Sequence, residues 1–115
     1  MIRLMNSAMM PRPGRYDLRA IPPARFAELV RDGCRGGTLV SYIGYPHLAE
    51  FLSGWCGCHI PVSRAVTPVE DGDTLLIARL RYRIDNPATK ASARPKADDY
   101  EFYAAVFNAD GEGPR

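Results

Sequence analysis

The stretch Thr38-Leu-Val-Ser-Tyr-Ile-Gly-Tyr-Pro-His-Leu-Ala-Glu-Phe-Leu-Ser-Gly-Trp55 decides the fold. Thr38 to Ile43 has the β-branched, aliphatic and aromatic make-up of a buried strand, and Gly44 ends it. From Pro46 onward Leu48, Phe51, Leu52 and Trp55 fall at the i, i+3, i+4, i+7 spacing of a helix with one apolar face, and Gly54 and Gly57 weaken its far end. Upstream, Ile21 to Gly33 predicts another helix: prolines stand at its start, Phe26, Leu29 and Val30 keep helical spacing, and Gly33 sits where a C-terminal cap belongs. Ile2 to Asn6 predicts a first strand, closed by the turn-rich Pro11-Arg-Pro-Gly14 and a loop.

Downstream, Val62 to Pro68 and Thr74 to Ile84 predict two strands of a hairpin, joined through the turn Glu70-Asp-Gly-Asp73. Residues 85–98 carry two prolines and no apolar periodicity, a loop long enough to suggest a function. Tyr100 to Phe107 predicts the last strand, and the Gly-rich, acidic end predicts a loose tail over 109–115. The expected architecture is α/β: one domain over 1–108, a mixed five-stranded sheet with two main helices and no internal repeat.

Composition agrees with one packed domain. The 115 residues are 46% apolar, which excludes a disordered chain, and the ten Gly and ten Pro read as punctuation. No apolar run approaches the roughly 20 residues that cross a bilayer, and the first residues lack a signal peptide's apolar core, so a cytoplasmic protein is expected. Three cysteines, Cys34, Cys56 and Cys58, are an odd number and predict reduced thiols. A net charge of +2 excludes indiscriminate binding to nucleic acid, and no stable duplex partner is expected. The cations are 13 Arg against 2 Lys. High genomic GC content produces that bias, and so does a need for planar guanidinium forks on phosphates.

Three constellations bear on chemistry. The turn Tyr42-Ile-Gly-Tyr-Pro-His47 places a helix N-terminus, with its unpaired N–H groups, directly after a strand, although such a turn also uses glycine for its backbone alone. Along Leu75 to Arg83, strand alternation puts Arg79, Arg81 and Arg83 on one face, either as a solvated surface or as an anion cradle. Arg64, on the predicted partner strand, extends that patch if the register allows. Cys56, Cys58 and His59, with Cys34 or His47, carry zinc-type donors, but Cys-x-Cys-His is not a zinc clip, and no metal or other cofactor is expected. No Walker loop, Ser-His-Asp signature or two-metal carboxylate cluster is present.

Four segments occur together in order: Leu4-Met-Asn-Ser-Ala; Tyr42-Ile-Gly44 followed by Ala49-Glu-Phe-Leu-Ser53; Ile60-Pro-Val-Ser-Arg64; and Asp71-Gly-Asp73 before a strand ending in Arg83-Ile84. In these the chain resembles the small viral anti-CRISPR ring nucleases, which degrade the cyclic tetra-adenylate messenger of type III CRISPR defence. The likeness runs from Leu4 to about Arg83. It implies a homodimer that binds a cyclic oligonucleotide across its two-fold axis, in the host cytoplasm for a viral chain. Asn6 and Arg83 match ligand-contact positions of that family. The position of its catalytic His, directly after Ile-Gly, is Tyr45 here, and the position of its acidic residue is Asn86, beside Asp85. His47 comes two residues later, a rotation of roughly 200° on a helix. The ligand-binding set expected on this basis is Asn6, Gly44, Tyr45, His47, Arg79, Arg81, Arg83 and Asn86, with Tyr45 and His47 the candidates for any catalysis. The expected function is capture of a cyclic nucleotide messenger without turnover. The alternative is a metal-independent ring nuclease, in which a positioned ribose 2′-hydroxyl attacks the neighbouring phosphate. A protein or duplex-DNA partner has only the long Arg-bearing strand face in its favour.

Overall fold

A computed structural model of the chain describes residues 1–6, 13–65, 67–80, 97 and 100–108. In chain order the elements are β1 (Ile2–Met5), β2 (Arg15–Ala20), α1 (Pro23–Gly36), β3 (Leu39–Tyr42), α2 (Pro46–Cys56), β4 (Thr74–Leu80) and β5 (Tyr100–Asn108). They form one five-stranded sheet in the order β2-β5-β4-β1-β3. Strands β3, β1 and β4 run parallel, while β5 is antiparallel to both β4 and β2. The α/β class and the mixed sheet with two helices are those expected. Among the described residues, no helix is long and apolar enough to cross a membrane.

Strand alternation divides the core between the two faces of the sheet. On the helical face Leu4, Leu76, Ala78 and Phe102 pack with Phe26 and Val30 of α1 and Leu48 and Leu52 of α2. Rings close the layer: Phe26 lies 4.6 Å from Phe102, and Trp55 lies 5.4 Å from Phe102. On the opposite face Met5, Val69, Leu75, Ile77, Ala105 and Phe107 form a smaller cluster.

Helix α1 runs one turn past Gly33, where the sequence predicts its cap. The cap is Gly37, at φ 68°, whose N–H donates to the carbonyls of Gly33 and Cys34. Gly33 is interior because a Cβ there would come within 3.0 Å of both the Ile2 Cδ1 and the Leu39 Cβ. Its bare backbone lets the helix settle on β1 and β3.

The expected hairpin does not form. Both edges of β4 are occupied, by β1 and by β5, so residues 62–68 have no place beside it. Among the described residues of that segment only Val62 pairs, in an isolated parallel bridge with Ile43. The turn itself is present, with Gly72 at φ 87° and the Asp73 N–H donating to the Glu70 carbonyl at 3.0 Å. The fifth strand is instead β2, at the largely exposed sheet edge; Arg15-Tyr-Asp-Leu-Arg-Ala20 alternates polar and apolar residues, but standing between Pro13-Gly14 and Pro22-Pro23 it reads as part of a loop. The expectation of reduced thiols is also overturned: Cys34 and Cys58 are joined in a disulfide, while Cys56 is a buried free thiol. The α1 cap and the end of α2 bring the pair together, 6.5 Å apart at Cα. In chain-entropy terms, closing a loop of 24 residues contributes on the order of 3 kcal/mol. The predicted loop 85–98, apart from residue 97, and the predicted tail 109–115 lie outside the described residues.

One buried ion pair organises the parallel strands. Arg3, on β1, donates through Nε to the Asp73 Oδ2 at 3.0 Å, and both residues are less than 10% exposed. Asp73 also accepts from the Glu70 N–H at 2.9 Å and sits 3.6 Å from the Met1 amino group. Arg3 Nη1 donates to the Tyr42 hydroxyl at the end of β3, at 3.2 Å. Burial alone raises the Asp73 carboxyl, but the Glu70 N–H and the Arg3 guanidinium outweigh it and hold it below its ordinary 3.8. A carboxyl lowered in the folded state contributes stability that is complete above the unfolded value and is lost as pH falls through the folded one. Stability is therefore expected to be level from neutral pH down to about 5 and to decline below 3.8. Asp73→Asn strands the Arg3 charge, and urea unfolding at pH 7 should show a loss of about 3 kcal/mol that narrows in acid. Equal stability of the two proteins at pH 7 would take this pair out of the folding argument.

Candidate functional site

Asn6 follows β1, Tyr42 ends β3, and Gly44 and Tyr45 lead into α2, so adjacent parallel strands deliver four residues to one end of the sheet. Loops diverge there, and α/β sheets commonly bind ligands outside the carboxyl ends of parallel strands. A cleft of about 430 Å³ opens at this point, lined by Asn6, Tyr42, Gly44, Tyr45, Ser63, Arg64 and Ala65.

Residues 58–65 pass from the end of α2 to the far wall of the cleft as a strap. The Ile60 N–H donates to the Ser53 Oγ at 2.9 Å, the Ser41 hydroxyl donates to the Pro61 carbonyl at 2.7 Å, and the Ser63 N–H donates to the Ile43 carbonyl at 2.9 Å. Arg64 then reaches over the turn, its Nε donating to the Gly44 carbonyl at 3.2 Å, and Asn6 Oδ1 accepts from the Gly44 N–H at 3.4 Å. Gly44 is thus held from both sides. Its φ is not positive, so the turn does not need glycine for a left-handed backbone. A Cβ there would meet the Arg64 Cγ at 3.5 Å, an ordinary contact, and its absence leaves the cleft open beside the guanidinium.

The electrostatics favour an anion. Helix α2 begins beside the cleft with no side-chain cap and no acid in its first turn, so its N-terminal dipole is uncompensated there, although Pro46 has no N–H of its own. Arg64 adds a full charge on an exposed side chain. None of the seven described lining residues is acidic.

The structure brings Asn6, Gly44 and Tyr45 together and separates them from other expected residues. Tyr45 caps α2 half-buried, with its ring against the helical core and its hydroxyl enclosed, so it forms a wall of the cleft. His47 is exposed on the first turn of α2 and does not line the cleft. Arg79 is exposed near the end of β4, directly across the ladder from Glu101, so an acidic neighbour already stands beside it. Glu101 accepts from the Tyr103 hydroxyl at 2.8 Å, a bond that raises the Tyr103 pKa. Arg64, without a hairpin to carry it toward Arg79, belongs to the cleft instead. Arg81, Arg83 and Asn86, with Asp85, lie outside the described residues. Tyr42, Ser63 and Ala65 were not singled out as site residues from sequence. Tyr42 reads there as a strand aromatic, although alternation with Ser41 and Ile43 already sets it apart from the buried side.

For metal chemistry, no group of three or more His, Cys, Asp and Glu is assembled among the described residues. Cys34 and Cys58 are committed to each other, and burial pushes the Cys56 thiol up to about 11, opposed only in part by the Arg31 guanidinium.

Fold and cleft define a small α/β protein with an opening at the carboxyl ends of its parallel strands. A family model described as STIV B116-like matches residues 2–101, and the chain belongs to that family. Among solved structures, B116 of Sulfolobus turreted icosahedral virus (STIV) aligns with a TM-score of 0.74 at 16% identity, over 91% of this chain and 97% of that one. At that identity the likeness establishes a common fold. No curated protein matches the chain in sequence.

The cysteine arrangement is checked by thiol titration. Under non-reducing conditions the folded protein should expose no fast-reacting thiol at pH 7.5, because a thiol raised to about 11 is almost wholly protonated as well as buried, and the unfolded protein should release one. Three thiols on unfolding without reductant would show the pair to be open in solution.

Proposed function

We propose that this protein captures a cyclic nucleotide messenger of antiviral immunity and withholds it from its effector, acting as an anti-defence sponge. The observation that carries the reading is the meeting of Asn6, Gly44 and Tyr45 with Arg64 in one cleft. Arg64 and the α2 N-terminus suit a phosphate, Asn6 and Ser63 suit ribose hydroxyls, and the tyrosines offer apolar ring surface to a base. A family that takes its name from a viral protein fits a chain of viral origin. A homodimer with the cleft repeated about a two-fold axis suits a ring of repeating units.

The described lining of the cleft supports capture without turnover. The seven described residues of its lining include no imidazole, carboxylate, amine or thiol to move a proton to or from a ribose oxygen. His47 lies exposed on the neighbouring helical turn, outside the lining, which leaves the ring-nuclease reading without a placed acid.

The test is incubation with cyclic tetra-adenylate, cyclic dinucleotides and cyclic ADP-ribose, followed by heat denaturation and chromatography of what is released. One of these should come back intact, and light scattering should give twice the mass of the chain. Rapid conversion to linear product, abolished by His47→Ala, would instead establish the nuclease. Arg64→Ala removes a charge-assisted contact of about 1.5–3 kcal/mol, so affinity for the retained ligand should drop about ten-fold or more. Tyr45→His puts an imidazole, titrating near pH 6.5, at the helix entry, and single-turnover cleavage of cyclic tetra-adenylate should appear or increase while binding persists. A variant that binds and cleaves no faster would remove the missing imidazole as the reason for slow turnover.

A further inference from the structure

We propose that the Cys34–Cys58 pair is a thiol-exchange site that sets how firmly the strap 58–65 is held, and through the strap the affinity of the cleft. The inference rests on the binding function proposed above only for its last step.

The strap has one root and two clefts. Cys58 begins it, directly after the Gly57 cap of α2, and the disulfide ties that root to Cys34 in the last turns of α1. Five residues on, Ser63, Arg64 and Ala65 supply three of the seven residues lining the candidate site. On the other side of the same strap a second opening of about 440 Å³ is lined by Cys34, Cys58, His59, Pro61 and β3 residues Leu39 to Ser41. Both bonded cysteines are half-buried and border that opening, which is large enough for a low-molecular-weight thiol to approach the sulfurs. The third cysteine does not compete, since Cys56 is enclosed in the core.

The chemistry balances with one co-reactant class. The thiolate of a monothiol attacks one sulfur, the Cys34–Cys58 bond breaks, and the departing sulfur takes a proton from water. A second monothiol attacks the mixed disulfide, releasing the other cysteine as a thiol and the monothiol's own disulfide. Two electrons and two protons reach the protein, and that small disulfide reverses the path. After reduction the strap keeps its hydrogen bonds at Ile60, Pro61 and Ser63 but loses its covalent root. The reduced strap therefore opens more often, and Arg64 and Ser63 spend less time in the geometry that lines the cleft.

The experiment uses the wild-type chain in buffers of reduced and oxidised glutathione, with hydrogen exchange of backbone amides and binding of labelled cyclic tetra-adenylate read in each. On reduction, the Ile60 and Ser63 amides should exchange about three-fold faster or more while Leu76 and Ile77 hold their rates, and reoxidation should restore the first values. Affinity for cyclic tetra-adenylate should be about three-fold or more weaker in the reduced protein. The Cys34→Ser/Cys58→Ser double variant should match the reduced protein in every buffer; the wild-type comparison stands without it. A disulfide that glutathione cannot open in the folded chain, or strap amides that exchange alike in both states, overturns the inference. Equal affinity in both states despite faster strap exchange also overturns it. If cyclic tetra-adenylate binds neither state while strap exchange responds as expected, the proposed ligand fails and the thiol-exchange site stands.

Discussion

The Arg3–Asp73 pair is the constraint on which the described structure depends. Arg3 lies on the central strand of the parallel trio, Asp73 stands at the entry to β4, and the Tyr42 hydroxyl at the end of β3 accepts from the same guanidinium. One cation thus joins all three parallel strands on the side of the sheet away from the helices. Burying it is costly unless its partners are in place, because an unpaired charge in a low-dielectric interior costs several kcal/mol. The register of β1 against its neighbours is therefore set by charge as well as by Leu4 and Leu76. The consequence reaches the cleft, since Tyr42 forms part of its lining and is oriented from behind by Arg3.

The cleft is built from backbone as much as from side chains. Gly44 gives its N–H to Asn6 and its carbonyl to Arg64, so a single peptide segment fixes an amide on one wall and a guanidinium on the other. This is a cheap way to hold a long cationic side chain, whose freedom would otherwise cost up to about 2 kcal/mol to suppress. The arrangement also explains the sequence Tyr42-Ile-Gly-Tyr-Pro. Ile43 is fully buried beneath the turn, Tyr45 walls it, and Pro46 starts the helix with its φ already set.

How much of this was legible in the sequence follows the strength of the burial pattern. The helices and strands β1, β3, β4 and β5 carry apolar residues at their proper period, and each is visible from it. The edge strand β2 is not: Arg15-Tyr-Asp-Leu-Arg-Ala20 does alternate, but the prolines and glycine on either side mark a loop, and an exposed edge leaves its apolar side weak. Residues 62–68 erred in the opposite direction: Val62, Val66 and Thr67 have strand-like composition, but whether a segment finds a partner depends on vacant sheet edges, which no local pattern records. The disulfide was hidden for a similar reason, since the approach of Cys34 and Cys58 arises from the packing of α1 on α2. At the site, Asn6, Gly44 and Tyr45 were found from motif order, while Arg64 was placed with the wrong neighbours because the hairpin that would have carried it does not exist. Gly44 was read as a backbone requirement or an anion site, and its ordinary φ removes the first reason.

What the cleft contains also bears on the balance between holding and cleaving. Amide and hydroxyl groups hold a phosphodiester before reaction much as they hold it during reaction, and uniform binding of that kind lowers the dissociation constant without lowering the barrier from the bound complex. A guanidinium gains further as charge builds on the phosphoryl oxygens, so it serves binding and transition state alike. Turnover needs a group whose interaction grows as the ribose oxygen departs, and that requires a proton donor matched to neutral pH at the reacting atoms. Tyr45 occupies the place where the resemblance implies a histidine, and its hydroxyl is directed into the protein interior. On the reading proposed above, Tyr45 in that place reinforces the wall of a binding cleft and leaves no imidazole among its described lining residues.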